Sequence, residues 1–445
     1  MSQKSLSLQR GVLLMIGAAA LFAATWIGCG ALQNGSAFLV FLAVVLLWFL
    51  GAALILPVFQ NRSHAICAAA GLYLCLCLRL CLFDYISPDY VSFLGPWTQT
   101  MRSMTIGQAL RTPIGDYNMP YLYLLLIISR LPFYDLYCIK LVSVLSDVLL
   151  AVGMARLVRM LNRQEELALI AFFAVLLAPT VFLNSAYWGQ CDGIYTCFGI
   201  WGLYFGLKRR PIASLALLAC AFSFKLQTIF LLPIILFFLV REMVSLKQLL
   251  AFPAVFILIM LPALLAGRSL SDTFSIYLDQ TNAYPYLSLN APSFWSLIPN
   301  DYFSALQHVS VLLAGIVTVL LLYALLRRSH LMADRDLVAV ALIFCLGIPW
   351  LLPRMHERYF YLAEILSIAY VAQSPRQLHT AVILLGGGFL IYSPYLFGQM
   401  PILTNAWVAV IYGGLLAYLC IKLLRTLEGR RAKQTDQKKE DSSHE

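Results

Sequence analysis

Long apolar runs alternate with short polar connections along most of the chain. A membrane-crossing helix needs about 17–25 predominantly apolar residues, and hydrocarbon offers no partner to a free backbone amide. The pattern therefore predicts an all-α, polytopic transmembrane bundle of about 14 spans. The predicted spans are residues 11–32, 37–58, 65–83, 135–158, 165–184, 191–207, 212–228, 229–241, 248–267, 309–326, 337–352, 358–373, 380–396 and 404–424.

The composition agrees with this class, because 61% of the residues are apolar and 12% are charged. The net charge of +10 is spread over short connections and the C-terminal tail, which indicates orientation by positive charge more than nucleic-acid binding. If the N-terminus is inside, every basic connection and the C-terminus are also inside. These connections are residues 60–64, 156–163, 208–210, 327–330 and 374–379, together with the tail.

This orientation requires that residues 119–131 do not cross. At about 13 residues the run is too short to span comfortably, so we expect it to lie at the outer interface. We predict one transmembrane domain over residues 1–428 and a disordered cytoplasmic tail over 429–445. The expected location is the plasma membrane, as a multi-pass protein, with a bacterial inner membrane favoured by the short loops.

The cysteines carry no metal or disulfide pattern. The chain has 11 cysteines, mostly inside apolar runs, none of them in a CxxC pair, and its histidines are scattered. We predict that the cysteines are small apolar core residues.

The outer side then holds two long loops, residues 84–118 and 268–308, and short corners at 185–191 and 353–357. Polar segments that are far apart in sequence converge on this face. They are "FDYISPDYVSFLGPWTQTM" from Phe83, "GDYNMPYLY" from Gly115, "YWGQCDGIY" from Tyr187 and "RMHERYFY" from Arg354.

The last of these segments predicts an anion site. Pro353 is suited to begin a helix that runs inward, so that the positive end of the helix dipole faces out. His356 and Arg358 would add donors there, and a phosphate is the natural occupant. The alternative is an interfacial cluster in which Glu357 and Arg358 merely pair with neighbours.

Lys225 lies about 20 Å into a helix that starts inside near Ile212, hence in the outer part of the span. An intramembrane lysine is a functional candidate, with Gln227 as a partner for a polar ligand. A buried lysine paired with a carboxylate is the alternative. Lys140 and Asp147 share a face of one helix, and for Asp147 we favour a structural pairing.

Carboxylates in the outer segments are candidates for acid–base chemistry. Asp89 is a candidate general base, although a loop aspartate is more often a turn or cap residue. Asp84 and Asp116 are weaker candidates, and for Asp192 the alternative is a helix cap. The chain has no GxxxxGK[ST], GxGxxG or GxSxG motif, so nucleotide binding and serine hydrolysis have no support.

Five segments together resemble a known family. "DYVSFLGPW", "DYNMPYLYLL", "WGQCDGIY", "FSFKLQTIFLLP" and "PRMHERYFYLAEIL" are similar, in this order, to the bacterial relatives of the GPI-anchor mannosyltransferases, integral membrane glycosyltransferases of the GT-C superfamily. The resemblance covers residues 84–364, and two additional spans, residues 11–32 and 37–58, precede the helix that leads into its first outer loop. It implies a GT-C-type bundle with interfacial helices in a long outer loop, and a dolichyl- or polyprenyl-phosphate sugar donor. It also implies an inverting transfer and a catalytic aspartate in the first large outer loop, a position matched by Asp89.

The expected function is therefore transfer of a hexose, mannose-like, to an acceptor hydroxyl on the outer face, with Asp89 as the base. We expect the donor phosphate to be bound by Arg358, His356 and Lys225. We expect the sugar or acceptor to be oriented by Asp116, Asp192, Gln190, Gln227 and Glu357. The partners would be membrane lipid and a glycan, lipid or protein acceptor, without nucleic acid. We predict no metal and no other cofactor, although Asp89 and Asp116 carry the oxygen ligands that Mg²⁺ or Mn²⁺ prefers. The rival hypotheses are a transporter or flippase of a lipid-linked or anionic substrate, and a non-catalytic assembly subunit.

Overall fold

A computed structural model gives the fold of residues 3–34, 37–282 and 284–443. The chain is 80% helical, which confirms the predicted all-α class. The α-helices are α1 (Gln3–Gly30), α2 (Ala37–Ile55), α3 (Arg62–Leu80), α4 (Gly95–Ser103), α5 (Ile106–Arg111), α6 (Met119–Ser129), α7 (Asp135–Asn162), α8 (Glu165–Leu177), α9 (Pro179–Phe182), α10 (Asp192–Leu207), α11 (Pro211–Phe224), α12 (Pro233–Val240), α13 (Ala251–Leu265), α14 (Leu270–Phe274), α15 (Ile276–Asn282), α16 (Phe303–Leu326), α17 (Asp336–Leu351), α18 (Tyr361–Gln373), α19 (Leu378–Phe397) and α20 (Asn405–Ser443). Two short parallel strands, β1 (Ser288–Leu289) and β2 (Met355–His356), complete the regular structure.

Within the described residues, seven helices are long and apolar enough to cross a membrane. An eighth span results if α8 and the segment Pro179–Trp188, bent by 45° at Ala178, are counted together. The protein is therefore membrane-embedded, with fewer full-length spans than the sequence predicted. The seven are Ala37–Val58, Arg62–Leu80, Asp135–Asn162, Gln248–Leu265, Asn300–Leu326, Pro375–Phe397 and Asn405–Thr435.

The predicted span 11–32 falls largely within α1 (Gln3–Gly30), whereas helices of at most 16 residues correspond to the predicted spans 191–207, 212–228, 229–241, 337–352 and 358–373. The predicted span 212–228 ends as a helix at Phe224, and α12 does not begin until Pro233. The predicted span 358–373 becomes α18, which has 13 residues. Helix α6 has 11 residues, about 16 Å in length, which agrees with the prediction that this run does not cross.

The last helix, α20, continues to Ser443, so residues 429–443 are helical although their composition predicted disorder. Lys, Arg, Glu and Gln are good helix formers, and opposite charges three or four positions apart support an exposed helix. These local preferences explain why the helix does not stop where the apolar run ends.

The chain divides into two compact units, which are described separately. Unit 1 comprises Met1–Thr105, Leu124–Arg159 and Arg163–Gly193, and unit 2 comprises Ile106–Tyr123, Met160–Asn162 and Ile194–Glu445. In unit 1 the centre of α7 is fully buried, and α3 packs against α1, α2 and α8. Close approach of α3 to α8 requires a glycine, because a Cβ at Gly71 would lie 2.4 Å from the ring of Phe173.

In unit 2 the central element is α17, whose residues from Leu337 to Gly347 are all buried. It packs against α12, α16, α18 and α20. Helix α17 has 16 residues and is about 24 Å long, so the segments that adjoin its first and last turns lie about that far apart.

Candidate functional site

The candidate base Asp89 lies half-buried in unit 1, directly before a π-helical turn at Tyr90–Leu94. Its Oδ2 accepts hydrogen bonds from Trp188 Nε1, at 3.0 Å, and from Gln190 Nε2. Two donors on one oxygen fix the orientation of the carboxylate. Gln190, which was expected to orient the sugar or acceptor, is hydrogen-bonded to Asp89 in the structure.

The sequence around Gln190 explains how it reaches this place. Gly189 has φ of 81°, in the left-handed region that glycine adopts without strain. The Gln190 backbone N–H donates to Asn184 O at 2.8 Å, and its carbonyl accepts from Ser143 Oγ at 2.7 Å. Both backbone polar groups of Gln190 in the "WGQ" turn are therefore hydrogen-bonded, and its side chain donates to Asp89.

A buried lysine holds the backbone that leads to Asp89. The Lys140 Nζ donates to the carbonyls of Leu82, Phe83 and Tyr85 at 3.1, 2.8 and 2.7 Å. Three acceptors satisfy the three donors of an ammonium group, which makes its burial tolerable. Lys140 thus supports the loop through carbonyl contacts rather than through a carboxylate.

The other carboxylates singled out in unit 1 have structural partners. Asp147 is fully buried and pairs with Arg79, whose Nε and Nη2 both lie 3.2 Å from Asp147 Oδ2. The expected structural pairing is found, but with an arginine that the sequence analysis overlooked. Asp84 accepts from Tyr137 Oη and from the Gln33 N–H.

Asp192, predicted to orient the sugar or to cap a helix, is fully buried at the first residue of α10. It accepts a hydrogen bond from Asn184 Nδ2 at 2.9 Å. Asn184 also accepts from the Gln190 N–H, so the Asp192–Asn184 pair supports the same turn that carries Gln190. The structure therefore favours a structural role for Asp192.

In unit 2, a cavity of about 210 Å³ collects most of the other predicted site residues, and we call it the Lys225–Arg358 cavity. Five of the residues singled out from the sequence line it, and they come from three separate segments. The lining residues are Asp116, Tyr117, Phe224, Lys225, Gln227, Ile276, Asp279, Gln280, Tyr284, His356, Arg358 and Tyr359.

Lys225 reaches this cavity from a break between helices. Helix α11 ends at Phe224, and Lys225 is extended, with φ of −153° and ψ of 129°. The carbonyl of Ser223, in the last turn of α11, accepts a hydrogen bond from Tyr277 Oη at 2.9 Å. One of the carbonyls at this helix end therefore has a partner within the unit. The Lys225 Nζ lies 5.8 Å from the centroid of the Tyr195 ring, a cation–π contact.

Gln227 lies two residues further, in the 3₁₀ turn Leu226–Phe230, and is 8% exposed. Its Oε1 has no hydrogen-bond partner among the described residues. Leaving a buried carbonyl oxygen unpaired costs roughly 1–3 kcal/mol. A ligand hydroxyl in the cavity would remove this cost.

The segment at residues 353–358 differs from the prediction. Pro353 does not begin a helix, because β2 pairs in parallel with β1 and the Arg354 N–H donates to Leu287 O at 2.9 Å. A 3₁₀ turn over Glu357–Phe360 follows, and α18 starts only at Tyr361. His356 and Arg358 therefore reach the cavity from a strand and a turn, and the expected helix dipole at Pro353 is wrong.

Glu357 lies beneath this cationic pair rather than in the cavity lining. Its Oε2 lies 3.3 Å from His356 Nδ1, and its Oε1 lies 3.7 Å from Arg358 Nε. Burial opposes ionisation of Glu357, but the hydrogen bond and the charges of His356 and Arg358 outweigh it and hold its pKa below the usual value. Glu357 thus contacts both His356 and Arg358 and restricts their orientations.

The second outer loop also contributes to the cavity lining, which was not expected from the sequence. Asp279, Gln280 and Tyr284 line the cavity, and Gln280 Nε2 donates to the Asp116 carbonyl at 2.8 Å and to Asn118 Oδ1 at 3.0 Å. The loop was predicted to be outside, but no spacing within it pointed to these residues. Within the part of the chain that the structure describes, no group of three or more His, Cys, Asp or Glu side chains could hold a metal ion.

A scan against protein-family models and a search of curated proteins find no match for this chain.

Proposed function

We propose that the protein is a membrane glycosyltransferase that moves a hexose from a polyprenyl-phosphate sugar to an acceptor hydroxyl, with inversion at the anomeric carbon. The observation that carries this proposal is the Lys225–Arg358 cavity. Two cationic side chains, Lys225 and Arg358, come from separate segments and line one small cavity of a membrane-embedded chain together with His356 and with carboxylate and amide groups. This donor set suits a phosphorylated sugar.

The roles within the cavity follow from side-chain chemistry. The Arg358 guanidinium and the Lys225 ammonium bind the donor phosphate, and His356 adds a third donor when it is protonated. Gln227 accepts a hydrogen bond from a sugar hydroxyl, and Asp116 and Asp279 are suited to the same task. The polyprenyl chain remains in the lipid.

The transfer needs a base and stabilisation of the leaving group. Asp89 accepts the proton of the acceptor hydroxyl as its oxygen attacks the anomeric carbon from the face opposite the phosphate. The bond between the anomeric carbon and the phosphate oxygen breaks, and the negative charge that develops on the polyprenyl phosphate is stabilised by the cations. The Trp188 and Gln190 contacts support the assignment of Asp89, since a base must be held in one orientation.

We place the reaction at the outer face of a plasma membrane, from the distribution of basic connections. Activated nucleotides are not normally available there, whereas a lipid-linked sugar is. The acceptor is a glycan, a lipid or a protein.

Donor binding by the purified protein tests the cavity assignment. The probe is a fluorescent polyprenyl-phosphate mannose, titrated into wild type, Arg358→Gln and a matched control, Arg354→Gln. Loss of charged hydrogen bonds to phosphate weakens binding by about 10–100-fold in Arg358→Gln. Arg354 does not line the cavity and donates to Gln307 Oε1 at 3.2 Å, so its variant binds as wild type does. Equal affinity of all three proteins would show that Arg358 in the cavity does not bind the donor phosphate.

A transporter or flippase of a lipid-linked or anionic substrate is the second candidate. Two features favour it: the 45° bend between α8 and α9, and the helix break at Lys225, since transporters use interrupted helices at their binding sites. The two functions differ in the fate of the donor. A flippase moves the labelled lipid across a vesicle without breaking the sugar–phosphate bond, whereas a transferase releases polyprenyl phosphate.

A further inference from the structure

A second cationic cavity lies at the other end of α17. It measures about 300 Å³ and is formed where the end of α16 meets α20. Residues 327–331 lead towards the first turn of α17, whereas His356 and Arg358 follow its last turn, so about 24 Å of helix separates this cavity from the Lys225–Arg358 cavity. We call it the Arg327–Arg431 cleft, and it is lined by Arg327, Arg328, His330, Leu331, Glu428 and Arg431.

The cleft has an excess of positive charge. Three arginines line it against one carboxylate, Glu428. Arg327 contacts the Tyr323 ring, with its guanidinium carbon 5.5 Å from the centroid, and Arg328 Nη1 donates to Ala324 O at 2.8 Å. Among the residues that the structure describes, neither these two arginines nor Arg431 forms an ion pair with a carboxylate.

Two neighbouring arginines at the same end of unit 2 are paired with carboxylates. Arg430 pairs with Asp336 and donates to Leu331 O at 3.0 Å, and Arg241 Nη2 lies 2.7 Å from Asp334 Oδ1. The Arg430 contacts also fasten α20 to the start of α17, which keeps the cleft in shape. Arg430 and Arg241 are therefore compensated by carboxylates, whereas the three arginines that line the cleft are not, among the described residues.

An apolar strip on α16 leads into the cleft. Leu312, Ile316, Leu320 and Tyr323 are 64%, 48%, 61% and 58% exposed. They are spaced by three or four residues, so they share one face of the helix, and Arg327 continues the same row. In a membrane-embedded chain this strip faces lipid, with the basic cleft at its end.

We propose that the Arg327–Arg431 cleft binds a phosphate group, and that an anionic glycerophospholipid supplies it with its acyl chains along the α16 strip. Guanidinium groups match phosphate oxygens in pairs, and basic pockets beside membrane helices are suited to anionic head groups. This site requires neither a sugar donor nor a transfer reaction, so it stands apart from the proposed transferase.

Lipid binding to the purified full-length protein in a neutral detergent tests the site. Phosphatidylglycerol, phosphatidylcholine and inorganic phosphate are titrated separately, and lipid occupancy is read by native mass spectrometry. The test variant is Arg327→Gln/Arg328→Gln/Arg431→Gln. The matched control, Arg62→Gln/Lys247→Gln/Arg376→Gln, removes three exposed basic residues outside the cleft.

We expect wild type to bind phosphatidylglycerol at least tenfold more tightly than phosphatidylcholine. The cleft variant loses on the order of a hundredfold in affinity for phosphatidylglycerol, while the control loses less than threefold. A variant with lysine at the three cleft positions stays within about tenfold of wild type, because the charge is kept while the paired geometry is lost.

Four results would overturn the proposal. Equal affinity for the two lipids, or an equal loss in the control variant, means that the cleft does not select anionic lipid. Inorganic phosphate that displaces phosphatidylglycerol with the same affinity as the lipid assigns the site to free phosphate and refutes the lipid source. Unchanged binding in the cleft variant refutes the site itself.

Discussion

The buried ion pair between Arg79 and Asp147 gives the sharpest test of how unit 1 is stabilised. Arg79 is 3% exposed and Asp147 is fully buried. Arg79 Nη2 also donates to Leu176 O at 2.8 Å, and Ser185 Oγ donates to Asp147 Oδ2. Asp147 Oδ1 has no hydrogen-bond partner among the described residues, so the carboxylate depends on Arg79 for most of its compensation.

We predict that Arg79→Met lowers the free energy of unfolding by about 3–5 kcal/mol, because it leaves an uncompensated buried carboxylate. For a chain of this size that is a fall in Tm of roughly 3–5 °C. Asp147→Leu is destabilising for the reciprocal reason. The double variant Arg79→Met/Asp147→Leu recovers at least about 2 kcal/mol relative to the worse single variant, since both buried charges are then gone.

Thermal unfolding of the purified variants in detergent measures these shifts. Arg209→Met is the matched control, because Arg209 also lies near an aspartate, Asp334, but the two side chains are 51% and 41% exposed, so the substitution should cost about 1 kcal/mol or less. If the double variant is as unstable as the sum of the two single variants, the pairing does not account for the burial of these groups. A stable double variant that still turns over donor would also weaken the transporter hypothesis, which assigns function to intramembrane charges.

Three further predictions concern the surroundings of Asp89 in unit 1 and of the Lys225–Arg358 cavity in unit 2. Gln190→Ala removes one donor to Asp89 and lowers kcat about tenfold with KM unchanged, as steady-state kinetics with a labelled donor would detect; an equal rise in KM would contradict a positioning role. Lys140→Met leaves three buried carbonyls unpaired and lowers both Tm and kcat, measured together on one preparation, and an unchanged kcat would separate the loop support from catalysis. Because the pKa of Glu357 is held low, its contribution to stability is complete above the ordinary carboxyl pKa of 4.5 and is lost as pH falls through the lowered value, so Glu357→Gln should flatten the acid limb of a Tm–pH profile. An identical acid limb in wild type and Glu357→Gln would show that its contacts with His356 do not stabilise the charged form.

The sequence was most informative where one physical signal dominates. Long apolar runs predict helices because the bilayer forbids free backbone amides, and the candidate spans 37–58 and 65–83 agree closely with Ala37–Val58 and Arg62–Leu80. The segments of Lys225 and Arg358 were assigned to one face from the basic connections, and both residues line one cavity.

Other features depend on contacts between distant residues and have no local signal. The β1–β2 pairing joins Ser288 to Met355, which no periodicity near Pro353 could reveal. Arg79 stands alone in an apolar run, and that isolation was the available clue, because an intramembrane arginine needs a carboxylate partner. The predicted span 212–228 runs through the break at Lys225, because a partner of this helix end, Tyr277 in α15, is remote in sequence.

Turnover of a polyprenyl-phosphate sugar by the protein in liposomes tests the central claim most directly. A panel of labelled donors is offered to wild type and to Asp89→Asn, and release of polyprenyl phosphate is measured beside donor binding. The account predicts that wild type consumes one of the donors, and that Asp89→Asn binds it normally but loses about 10²–10⁴-fold in rate. Consumption at the wild-type rate by Asp89→Asn, or no consumption of any donor by wild type, would contradict it.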